Sequence, residues 1–196
     1  MFDPEKRYEL ENKLIEVLYG HLHLLQDYAQ RSKIVSDGLK TLFGNDDSGY
    51  FKKEMEMLDR DDVRKAFIHE FLSYGLIQDL LSDFDVEDII INALKPIYIH
   101  HSERGLVSVD KHFKTKEELD LFIKKLILFS GRTRWENIMD LELPNLEGRI
   151  NVIRSPFGPQ ITITKAKSSP LSILELIQKG ALNYEVAAQL WLYLDG

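Results

Sequence analysis

The 196-residue chain has no cysteine, which excludes disulfide staples and thiolate metal sites and fits a reducing compartment. Its longest apolar runs, such as Ile89 to Ile91, fall far short of the roughly 20 residues a membrane-spanning helix needs. The start, MFDPEKRYELENK, is charged and helical in pattern, without the apolar stretch of a secretory signal. Positive charge is scarce: 25 Lys and Arg stand against 32 Asp and Glu, a net charge of −7. That argues against a surface generally coated by nucleic acid, although a local basic patch is compatible with it. The chain also lacks Gly-x-x-x-x-Gly-Lys-Ser/Thr. Without that loop no row of backbone N–H groups cradles a nucleotide's phosphates, so the chain alone is not expected to hydrolyse ATP. A soluble cytoplasmic protein, with no direct membrane insertion, is the expectation.

What is present reads as α+β. Asp3 and Pro4 start a helix as N-cap and first-turn proline. Leu10, Leu14, Val17, Leu18, Leu22 and Leu25 continue it at helical spacing, with Gly20 as a possible bend. A short helix over Ile34 to Phe43, the loop Gly44 to Gly49, and helices over Phe51 to Leu58 and Asp61 to Tyr74 follow. Gly75 marks a break. A short helix (Leu76 to Leu81) then precedes three short β-rich runs around Ile89–Ile91, Ile97–Ile99 and Leu106–Val109, which fit a meander. Thr115 and Glu118 form a capping box for a helix through Phe129. Two strands follow, Arg149 to Arg154 and Gln160 to Lys165, joined by a Pro/Gly turn. Ser172 with Glu175 and then Asn183 open two last helices. The expected division is a helical subdomain at 1–74, an α/β domain with a small antiparallel sheet at 75–168, and a helical segment at 169–196.

The two basic strands carry the candidate chemistry. A rigid sheet presenting Arg149, Arg154 and Lys165 suits an anionic partner, and Arg132 lies just upstream. Arg149 stands first, because a guanidinium is permanently charged and grips phosphate at two points. Metal chemistry has little support. His21 and His23 are two apart on a helix, His100 and His101 alternate across a strand, and no set of ligands has zinc spacing. Asp59, Asp61 and Asp62 lack the glycine and terminal Glu of a calcium loop and read as helix N-terminal acids. Glu136 and Asp140 have no pocket that would make them an acid–base pair. Trp135 reads as packing a domain edge.

Several motif pieces occur in the order found in one family. They are Leu76 to Leu81, then Asp85-Val86-Glu87-Asp88-Ile89-Ile90-Ile91-Asn92; Gly131-Arg132; Asp140; Leu143-Pro144; Gly148-Arg149 and Asn151; Thr162-Ile163 and Lys165; and Pro170-Leu171 with Leu174. Together they resemble the region before the nucleotide-binding core of type II/IV secretion-superfamily ATPases, nearest the tight-adherence pilus and archaeal-type branch. The resemblance covers residues 75–196. It departs from the family at Thr164, where an arginine is usual, in the longer turn Asn145-Leu146-Glu147, and in a shorter segment between Arg132 and Asp140.

The resemblance implies a front region of a hexameric ATPase that powers protein secretion or pilus assembly. Its own C-terminal core would lie beyond Gly196 and hold ATP and Mg²⁺, with Arg149, Arg132, Lys165 and Arg154 as candidate contacts. An inner-membrane platform protein is the implied partner, and the cytoplasmic face of that membrane the implied location. The alternative is a self-contained regulatory module that binds a peptide or small ligand. A nucleic-acid surface of Arg149, Arg154, Lys165 and Lys167 is the third reading, disfavoured by the acidic total.

Overall fold

The computed structural model describes residues 2–23, 25–143, 146–166 and 171–195. The expectations placed on Pro144, Asn145, Lys167, Ser168 to Pro170 and Gly196 fall outside them. The chain divides into two compact units, residues 1–166 and 167–196.

The first unit begins as its capping residues dictate. The Asp3 carboxylate accepts from the N–H groups of Glu5 (3.0 Å) and Lys6 (3.2 Å), opening α1, Pro4–Leu18. Its apolar stripe, Leu10, Leu14, Ile15 and Leu18, is fully buried. The helix does not reach Leu25. Gly20 turns to a left-handed φ of +80°, and Leu25 is exposed while Leu22 is buried beyond the helix end. A reciprocal capping box between Asp27 and Gln30 then opens α2, Tyr28–Gly44, well ahead of the expected start at Ile34. α3 (Lys52–Leu58) and α4 (Asp61–Leu72) follow, the latter burying Phe67, Ile68 and Phe71. Gly75, at φ +53°, starts a 3-10 turn (Gly75–Ile77) that leads into α5, Gln78–Ser82.

The expected meander is present as β1 (Val86–Asn92), β2 (Tyr98–His101) and β3 (Gly105–Ser108). α6 spans Lys116–Phe129. Its cap is half a box: Thr115 Oγ accepts from Glu118 N–H at 3.1 Å, but the Glu118 carboxylate takes the N–H of Lys114, at 2.8 Å, instead of that of Thr115. Three strands then follow where two were expected: β4 (Ile138–Leu143), β5 (Leu146–Ser155) and β6 (Gly158–Lys165). All six join one antiparallel sheet in the order β3-β2-β1-β6-β5-β4, with β1 and β6 linking the two halves.

Strand alternation gives this sheet one apolar and one polar face. Ile89, Ile91, Ile99, Met139, Leu141, Ile150, Val152, Ile161 and Ile163 are buried in one hydrophobic core with α1, α2, α4 and α6. Each such side chain contributes about 1.5–3 kcal/mol on burial. The helices before residue 75 and the sheet after it therefore share a single core.

The second unit is a helical hairpin. Ser172 and Glu175 complete a capping box for α7, Ile173–Gln178. Gly180 turns the chain at φ +72°, and Asn183 Oδ1 accepts from Val186 N–H at 2.8 Å at the start of α8, Tyr184–Asp195. Apart from Ala187, the apolar side chains of α8 are exposed, Trp191 by 61%.

Candidate functional site

The strand register decides where each candidate cation goes. On β5, Ile150 and Val152 point into the core, so Arg149, Asn151 and Ile153 occupy the opposite, open face. The open face runs in cross-strand rows. Arg149 pairs with Thr164, which pairs with Asp88, which pairs with His100. One step along lie Asp140, Asn151, Thr162, Ile90 and Tyr98. Arg149 is exposed there and makes no hydrogen bond or ion pair with a described residue.

The glycine before it has a steric reason. A Cβ at Gly148 would lie 2.3 Å from the Thr164 carbonyl oxygen, closer than any side chain allows. Gly148 thus lets β5 approach β6 and fixes the register that projects Arg149.

The other three cations are engaged. Arg132 Nη2 donates to the backbone carbonyl of Asp140 at 2.9 Å, and Asn151 Nδ2 donates to the Asp140 carboxylate at 3.0 Å. Three residues spread over 132–151 of the chain thereby meet at one point on the edge strand. Lys165 shares the core-side parity of Ile161 and Ile163, and its ammonium donates to the backbone carbonyl of Asp83. Burial lowers its pKa, with the Asp83 carboxylate working in the opposite direction. Arg154 has the parity of Val152, and its guanidinium lies 4.5 Å from the centre of the Trp135 ring. Arg149 and Arg154 therefore project from opposite faces, and the cations do not converge on one patch.

Two adjacent histidines lie on β2. His100 Nδ1 sits 3.1 Å from the Glu87 carboxylate, beside a bulge in β1. His101 is buried, with Nδ1 accepting from Glu103 N–H at 3.2 Å. Among the described residues no three His, Asp or Glu side chains could hold a metal together. No described helix is long and apolar enough to cross a membrane.

Two features were not foreseen. Trp135 is the platform for Arg154, and its Nε1–H is buried with no acceptor among the described residues. Arg31, which precedes the helix expected from Ile34, is buried over the Phe129 ring. The alternation of Ile150 and Val152 was the available signal that Arg154 belongs to the helix side.

Fold and site together define a two-layer α+β domain with an open, arginine-bearing sheet face. No protein-family model matches the chain. It is similar to two uncharacterized proteins of Methanocaldococcus jannaschii. MJ0900 is 31% identical over 143 residues, which are 70% of this chain and 26% of that protein. MJ0781 is 25% identical over 142 residues, 69% of this chain and 19% of that protein. The chain thus spans about a quarter and a fifth of the lengths of these relatives. Among solved structures it is similar to the VirB11 ATPase from the Brucella suis type IV secretion system, crystallised in complex with sulphate. The TM-score is 0.43 at 16% identity, over 55% of this chain and 33% of that one.

Proposed function

We propose that the chain is the front region of a nucleotide-driven secretion or pilus-assembly ATPase, with Arg149 reaching the phosphates of a nucleotide held by a core outside it. One observation carries this reading. Arg149 alone of the four candidate cations stands exposed without a described partner, on the face of the sheet opposite the hydrophobic core. A guanidinium fixed on a sheet is pre-organised for a bidentate oxyanion contact. The ordered motif pieces support it: Gly148 holds the register under Arg149, and Arg132, Asp140 and Asn151 brace the edge beside it. ATP and Mg²⁺ are the cofactors in this reading. Six copies form a ring at the cytoplasmic face of the inner membrane, and the N-terminal helices are the surface offered to a platform protein.

The test is Arg149→Ala in a polypeptide that joins this chain to its nucleotide core. The side chain is exposed, so folding and thermal stability should hold. Loss of a charge-stabilising donor should lower the ATPase rate at least about tenfold. An unchanged rate in a folded variant overturns the assignment.

A further inference from the structure

On the face of the sheet opposite Arg149, a cleft of about 770 Å³ opens between the β5–β6 hairpin tip, the turn after β1, and the first turns of α6. Tyr8, Leu94, Leu119, Trp135 and Pro156 supply its apolar lining. A volume in the range of ligand sites and a largely apolar lining make it a concave feature suited to recognition.

Three further observations say what it recognises. The Trp135 Nε1–H is buried and has no acceptor among the described residues. That donor is closed off from solvent, so the indole ring, not its N–H, is what the cleft presents. Arg154, stacked on the same indole, is exposed and forms no ion pair with a described residue. Of the acids in the lining, Asp120 is already held by Lys124 at 2.8 Å, which leaves Glu117 against Lys116, while Arg154 stands beside the lining over the Trp135 ring. Finally, Phe157 stands 91% exposed at the hairpin tip that forms one wall. Trp, Arg and Tyr beside an exposed aromatic are the residue types that dominate binding energy at protein interfaces.

We propose that this cleft docks an acidic segment of a partner protein bearing one large apolar side chain. The apolar side chain enters among Tyr8, Leu94, Leu119 and Trp135, and an adjacent carboxylate takes Arg154. The site is separate from Arg149, and its occupation requires no nucleotide.

The test follows the indole N–H signal of Trp135 by NMR in the whole chain, assigned with Trp191→Phe. The probes are two blocked hexapeptides with a central Phe, one flanked by Asp and Glu, the other by Lys. The acidic peptide should shift the Trp135 signal saturably and the basic one should not. Arg154→Glu, an exposed change that leaves the fold intact, should weaken the acidic peptide at least tenfold. A signal that stays still with both peptides overturns the proposal, as does an equal response to both. If the acidic peptide lacking Phe, or benzoate alone, reproduces the full shift, the peptide assignment also fails.

Discussion

Ala93 and Gly158 touch so closely that a Cβ at position 158 would lie 2.6 Å from the Cβ of Ala93. The contact seats the β5–β6 hairpin on the turn after β1, where Ala93 N–H also donates to the Pro159 carbonyl at 2.8 Å. Both residues have positive φ, +51° for Ala93 and +108° for Gly158. Gly158→Ala therefore adds a clash to backbone strain and should cost about 2 kcal/mol or more. In an Ala93→Gly background the clash is absent and only the strain remains. A double-mutant cycle by urea denaturation should show a coupling of about 1 kcal/mol between the two positions. Strict additivity would mean the hairpin tip does not rest on Ala93.

Gly148→Ala tests the other end of the same hairpin. Its φ is not left-handed, so the cost comes from the Thr164 carbonyl, a backbone atom that cannot swing aside. Separating β5 from β6 there should cost about 2–4 kcal/mol. The separation would also loosen the Arg149–Thr164 pairing, visible as faster amide exchange along both strands. A loss below about 0.5 kcal/mol would contradict the register.

Arg31 sits 4.8 Å from the centre of the Phe129 ring, 6% exposed, with Nε and Nη2 buried and without acceptors among the described residues. Burial lowers its pKa, and burial also pushes the Tyr74 phenol up to about 12, with Arg31 working in the opposite direction. The cation–π contact returns only about 1–2 kcal/mol, less than the cost of holding an unpaired charge away from water. Arg31→Met keeps the volume and removes the charge. It should raise stability by about 1–2 kcal/mol, read as a higher thermal midpoint. A lower midpoint would show that the guanidinium is compensated.

Much of this was legible because the signals are local. Caps at Asp3, Ser172 and Asn183 and the turn at Gly75 stand where side chain–backbone hydrogen bonds and left-handed glycines put them. The meander follows from β-rich runs separated by turn residues. Long-range pairing was not legible. β4 alternates Ile138, Met139, Asp140, Leu141, but it becomes a strand only because β5 binds its edge, with Met139 opposite Val152. Arg154 sounds like Arg149 in composition, and five residues of alternation send it to the other face. Arg31 carries no local mark of burial, since its neighbours over Phe129 come from distant helices.

Asp46 offers a pH test with a definite sign. Its carboxylate organises the loop after α2, accepting from Phe51 N–H (2.7 Å), Ser48 Oγ (2.8 Å) and Tyr50 N–H (3.1 Å). These bonds favour the charged form, the one from Phe51 most, and hold its pKa below the ordinary carboxylate value. A depressed folded pKa means the unfolded chain binds the proton more readily. The contribution is then complete above the unfolded value, about 4, and is lost as pH falls through the folded one. Asp46→Asn removes the charge at every pH. The variant should be less stable than the parent near neutrality, and the gap should close as pH falls below about 4. Asp61, Asp62 and Asp79 are depressed as well, but they are common to both proteins and cancel in the difference. Thermal midpoints of the two proteins from pH 7 to pH 3 decide it: a gap independent of pH would show that Asp46 acts through its shape alone.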